Sequence, residues 1–120
     1  PQPADAYADG TALGRMTIDK RFHGDLEATS TGQMLSAMTG TKGSAGYVAI
    51  ERVVGTLAGR RGSFVLQHSG TMTRGAPQLV VTVVPDSGTE GLAGLTGTMT
   101  IDTSGGRHAY TFTYALPDAP

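Results

Sequence analysis

Hydrophobic and polar residues alternate with a period of two along most of this chain. From Leu13 onward, Met16, Ile18 and Phe22 share one face, while Thr17, Asp19 and Arg21 share the other. After Gly24, Leu26 and Ala28 oppose Glu27 and Thr29. Successive side chains of an extended strand point to opposite faces, so each stretch predicts a half-buried strand. A segment rich in β-branched residues follows over 46–57. In the next strand Phe64, Leu66, His68 and Met72 face one way and Gln67, Ser69 and Thr71 the other. Leu79 to Val84 is strongly β-forming, and Leu95, Met99 and Ile101 alternate with Thr96, Thr98, Thr100 and Asp102. The last strand carries His108, Tyr110, Phe112 and Tyr114 on one face.

Between these runs lie segments built for turning. They are Thr39 to Ser44, Gly59-Arg60-Arg61-Gly62, Arg74-Gly75-Ala76-Pro77, Pro85 to Gly88 and Gly105-Gly106. Thr89 to Leu95 has room for a single helical turn, with Ser87 or Thr89 as its cap. Short strands with Gly-rich turns and no helical crossover predict an all-β antiparallel sandwich or barrel. Gly32, Gly55, Gly70 and Gly97 interrupt predicted strands, and kinks of that kind help a sheet curl shut. The expected fold is therefore a small closed antiparallel β-barrel of about eight strands. It would occupy residues 12–117, with a tail or edge segment at 1–11 and a C-terminal tail at 118–120.

Composition narrows the chemistry. A chain of 120 residues suits one domain. With 9 Lys and Arg against 10 Asp and Glu, the net charge is −1 and no basic stripe exists, so nucleic acid is not an expected partner. The absence of Cys excludes disulfides, thiolate catalysis and Cys-ligated zinc. No apolar run approaches the length needed to span a bilayer, and residues 1–6 lack the pattern of a signal peptide, so no membrane partner is expected and cytoplasmic residence is the default. His23, His68 and His108 are widely separated with no close ligand pair, and no metal site is expected. Gly40 to Ser44 lacks the strand-loop-helix context of a phosphate loop, and no nucleophile elbow occurs.

Candidate site residues come from the inner face. The more apolar face of each strand would point inward, bringing Phe64, Leu66, His68 and Met72 together with Tyr110, Phe112 and Tyr114. The aromatics also suit plain core packing. His68 on an apolar face reads either as a hydrogen-bonded core imidazole or as a general acid or base. Strand 46–57 must bring a charge inside whichever way it faces. One face holds Tyr47, Ala49, Glu51 and Val53, and the other Val48, Ile50, Arg52 and Val54. Apolar counting slightly favours the second. Partnering favours the first, because a buried carboxylate can pair with His68 whereas Arg52 has few acids to meet. The expected arrangement is Tyr47 and Glu51 inward, with burial raising the Glu51 pKa.

Four blocks together resemble the bacterial DUF3224 family of uncharacterised proteins. They are Gly46 to Arg52, Gly62 to His68, Val84 to Thr89 with Leu92 to Gly97, and His108 to Tyr114. One departure is that Glu90-Gly91 stands where Gly followed by the acid is expected. The resemblance implies an allene oxide cyclase-like barrel whose lumen takes a small apolar molecule and needs no cofactor. Three functions then stay open. A cofactor-independent isomerase or cyclase would use Glu51 and His68 for proton transfer, with Tyr47, Phe64, Leu66, Met72, His108, Tyr110, Phe112 and Tyr114 around the ligand. A carrier would bind without catalysis. A structural protein would have its barrel packed shut. A homodimer or small homo-oligomer is compatible with all three.

Overall fold

The computed structural model describes residues 2–102 and 109–117, so His108, the Gly105-Gly106 turn and 118–120 lie outside the described residues. The strands are β1 (Gln2–Ala6), β2 (Ala12–Phe22), β3 (Leu26–Met38), β4 (Ala45–Leu57), β5 (Arg60–Thr73), β6 (Ala76–Val83), β7 (Thr96–Asp102) and β8 (Ala109–Ala115). They form one sheet in chain order, every neighbouring pair antiparallel. A single 3-10 turn, Glu90–Leu92, interrupts the β6–β7 connection. Among the described residues no helix is long and apolar enough to cross a membrane.

The chain is all-β, but the expected closed barrel, and with it the allene oxide cyclase-like closure, is overturned. Closure needs a backbone ladder between the first and last strands with consistent stagger. Among the described residues β1 pairs with β2, through a register shift between Gln2 and Asp5, and β8 pairs with β7. The strands that would meet are also mismatched, since β8 has 7 residues and β1 has 5, against 13 and 14 in β4 and β5. The sheet is further loosened where β6 meets β7 over two registered pairs, Val81–Met99 and Thr82–Thr98. It curls enough for the Phe22 and Tyr110 rings to meet edge-on at 5.3 Å, and the Tyr110 hydroxyl donates to the His23 carbonyl at 2.9 Å. Side chains, not a backbone ladder, bridge the two ends.

The strand glycines serve this curl in a way that does not require closure. On the concave side of a bent sheet, same-face side chains of adjacent strands converge. A Cβ on Gly32 would stand 2.6 Å from the Glu51 Cα. One on Gly70 would stand 2.4 Å from the Tyr47 ring. Both positions are kept empty for a neighbour.

The core fills the half of the concave face nearest the 3-10 turn. Phe22, Leu26, Val53, Leu57, Phe64, Leu66, Val81, Val83 and Met99 pack there beneath Leu92 and Leu95. Ser87 and Thr89 bind back to β5 instead of capping the turn: Val65 N–H donates to Ser87 Oγ at 3.0 Å, and Ser63 N–H to Thr89 Oγ1 at 3.0 Å. The first tight hairpin falls one residue earlier than composition suggested, and the second occupies the first half of its expected segment. Ala58-Gly59 and Arg74-Gly75 are the two-residue turns, all four residues at positive φ, while Arg60–Gly62 and Pro77 belong to strands. Positive φ at both central residues matches the right-handed twist of the flanking strands.

Candidate functional site

A belt of polar side chains crosses the otherwise apolar concave face. Glu51 is wholly buried and faces inward, while Arg52 lies exposed on the opposite face. Val48 and Ile50, favoured inside by apolar counting, are 52% and 51% exposed. Partnering therefore outweighs hydrophobicity on this strand. Glu51 Oε1 meets His68 Nε2 at 2.5 Å, and Ser30 Oγ donates to Glu51 Oε2 at 2.6 Å. Lys20 Nζ lies 3.5 Å from Oε1, its side chain 43% exposed. Among the described residues every buried side-chain nitrogen and oxygen has a partner.

Strand register explains how these groups meet. Glu51 is paired directly with Gly32 on β3 and Leu66 on β5, and Ala49 with His68. Ser30 and His68 are thus diagonal neighbours of Glu51, a separation that longer side chains span readily. Gly32 leaves the carboxylate room. Lys20 is directly opposite Ser30 in the β2–β3 pairing.

Burial pushes the Glu51 carboxyl up, as expected, but the opposing effects prevail. Hydrogen bonds from His68 and Ser30, with the charges of Lys20 and His68, hold it below its ordinary value of 4.5. The expected raised pKa is therefore reversed, and Glu51 is a carboxylate at neutral pH. Tyr47, half-buried on the same face, is pushed above its ordinary 10.0 by burial and by the Glu51 charge.

Beyond the belt, at the end away from the packed core, the concave face opens into a groove of about 610 Å³. Met34, Met38, Tyr47, Met72 and Leu79 supply its apolar walls, and the Thr39–Ser44 loop forms one rim. Tyr47 pairs with Gly70 and its ring lies over that glycine, one inward-facing row above His68. The groove reaches Tyr47; His68 and Glu51 are behind it.

The expected site residues therefore separate into groups. Tyr47 and Met72 line the groove, and Glu51 and His68 form the belt. Phe64 and Leu66 are packed core. Tyr110, Phe112 and Tyr114 border a different hollow at the opposite end, beside His23, Asp25 and Leu57. Phe112 stacks on Phe64 at 5.8 Å, joining that hollow to the core. Residues that the sequence reading did not single out are Ser30, Lys20, Met34 and Leu79. Lys20 and Ser30 had a signal, since each is the polar residue on the inward register of its strand, beside Ile18 and Phe22 or Leu26 and Ala28.

Fold and site define a small all-β protein: one curled antiparallel sheet with a buried carboxylate–imidazole pair between a packed core and an apolar groove. Residues 1–114 match the family described as Protein of unknown function (DUF3224), and the chain belongs to that family. Similar in structure is a protein with unknown function from the DUF3224 family of Shewanella oneidensis MR-1. It is 56% identical at a TM-score of 0.88, over 98% of this chain and 90% of that one. No curated protein matches the chain.

Proposed function

We propose that this protein binds a small, mainly apolar molecule in the groove above Tyr47, and that His68, backed by Glu51, exchanges a proton with it. The observation that carries the reading is an apolar groove of about 610 Å³ ending one row above a buried carboxylate–imidazole pair. That volume falls in the range of small-molecule sites. Flexible, polarizable methionine side chains adapt to irregular apolar shapes.

The chemistry available is isomerisation without a cofactor. In this reading the Tyr47 ring moves aside, and His68 takes a proton from one atom of the ligand and returns it to another, so the reaction consumes nothing. Glu51, ionised throughout, holds Nε2 and compensates the positive charge that forms on the ring; it is a positioning residue. Tyr47 stands between ligand and imidazole and offers a hydroxyl.

Native mass spectrometry of the purified protein tests retention of a molecule, and anilinonaphthalene sulfonate fluorescence tests the groove. Saturable dye binding weakened at least about 10-fold by Ala45→Trp, which fills the groove, is expected. Unchanged binding would remove the groove from consideration. With a retained molecule in hand, deuterium uptake from heavy water should stop in His68→Gln while binding persists. Uptake that continues would leave a carrier without proton transfer.

A further inference from the structure

The groove on the concave face is apolar along its walls and cationic at its rim. It spans three inward-facing rows. The row of Met38 and Met72 is outermost, that of Tyr47 and Gly70 comes next, and Met34 lies in the third, level with His68. Rows on one face of a strand are two residues apart, so the groove runs about 13 Å from its rim to its inner end. Among the described residues that line it, Lys42 alone carries a charge. None of the ion pairs among the described residues involves Lys42.

The loop that carries Lys42 is braced on both sides. Ser44 N–H donates to the Thr41 carbonyl at 3.1 Å, closing a turn with Gly43 at φ 80°, and Thr39 Oγ1 donates to the Ser44 carbonyl at 2.9 Å. Two further bonds tie it to the β5–β6 hairpin, Gly75 N–H to the Gly43 carbonyl and Arg74 N–H to Ser44 Oγ, both at 2.9 Å. Arg74 thereby brings a second cation to this end of the sheet. Asp9 is an acid at the same end, where its carbonyl packs against Gly40, and its carboxylate accepts the Thr11 N–H at 3.0 Å.

We propose that the ligand of the groove is a single-chain amphiphile with one anionic head group, its hydrocarbon along the methionines and its anion at Lys42. The proposal rests on the reading of the groove as a binding site, and it fixes the class and direction of the ligand. A neutral apolar molecule gains nothing from a cation at the mouth. A charged group turned inward, among Met34 and Met72, would lose its water without gaining a partner. With the anion at the rim, an extended chain of about 13 Å brings its far segment level with His68. The proton exchange then falls within the chain, away from the head group. Lys42 is exposed, so its attraction is that of a solvated pair, and the braced loop lowers the cost of ordering it.

Displacement of the neutral dye Nile red by decanoate and by decanol tests the head group, because the two molecules share a chain and differ in charge. In Lys42→Glu the dissociation constant of decanoate should rise about 10-fold, and in Lys42→Gln about 3-fold, with that of decanol unchanged in both. Added salt should weaken decanoate alone. Arg15→Glu, which reverses an exposed cation on the outward face of β2, should change neither ligand. Decanol that binds while decanoate is indifferent to Lys42→Glu overturns the head-group assignment and leaves the groove standing. So does an equal loss in Arg15→Glu, which would trace the effect to net charge. Failure of the dye to bind, or of both molecules to displace it, removes the groove and the assignment together.

Discussion

His68 Nε2 and Glu51 Oε1 lie 2.5 Å apart although the two residues are not paired across the β4–β5 ladder. Their contact runs along the diagonal, over Ala49 and beside Leu66, with both groups shielded from water. The second carboxylate oxygen is held by Ser30. Taking a carboxylate out of water is costly, and only a complete set of partners offsets it.

Removing the acid should therefore destabilise the protein more than its size suggests. Glu51→Ala strands a buried hydroxyl and an imidazole nitrogen, with an expected loss of about 3 kcal/mol. Glu51→Gln should lose less, because the amide keeps hydrogen-bonding capacity. In a double-mutant cycle with His68→Ala, the two single losses should exceed the combined loss by about 1–3 kcal/mol. Urea unfolding of the four proteins measures this. Strict additivity would show that the pair does not act as a unit.

The same pair sets an acid limit. Glu51 has a folded pKa below its ordinary 4.5, so it binds protons more weakly folded than unfolded. Its stabilisation is fully present above 4.5 and is lost as pH falls through the lower folded value. Asp9 and Glu27 are also shifted down, by hydrogen bonds to the backbone N–H groups of Thr11 and Gly24, but both are exposed. The stability difference between the unsubstituted protein and Glu51→Gln isolates the buried group. That difference should be flat above 4.5 and shrink below it. A difference that grew on acidification would reverse the assignment.

How far the sequence revealed this site depended on the range of the physics involved. Alternation is local, so the inward registers of Phe64, Leu66 and His68 were legible from their own strand. The facing of Glu51 was legible only because a charge must find a partner, and that argument overrode Val48 and Ile50. The direction of its pKa shift was not legible, since beside the His68 hydrogen bond it also draws on Ser30 and Lys20, one and two strands away. Closure was misread for a related reason. Gly32 and Gly70 relieve crowding between neighbouring strands, a need that a strongly curled open sheet shares with a barrel.

Gly70 gives a direct test of the groove floor. A methyl there would meet the Tyr47 ring at 2.4 Å, so Gly70→Ala must displace the ring or strain the β4–β5 pairing. The expected cost is about 1–3 kcal/mol, with weaker dye binding as the ring swings into the groove. Tyr47→Ala in the same chain should recover much of the lost stability. If Gly70→Ala is as costly in the absence of the Tyr47 ring, crowding against that ring is not its cause.

The β4–β5 hairpin offers the opposite experiment, a gain. Ala58 has φ 49° and Gly59 φ 82°, and an alanine held in the left-handed region is strained by roughly 1–2 kcal/mol. Ala58→Asn creates the Asn-Gly pair that two-residue hairpins prefer, and asparagine tolerates that region. The expected gain is about 0.5–1 kcal/mol, seen as a higher urea midpoint at unchanged slope. Gly59→Ala provides the control. A Cβ there meets nothing within 4 Å, so the expected loss of about 1 kcal/mol is purely conformational. If Ala58→Asn left stability unchanged while Gly59→Ala lowered it, the strain would reside in the second turn position alone.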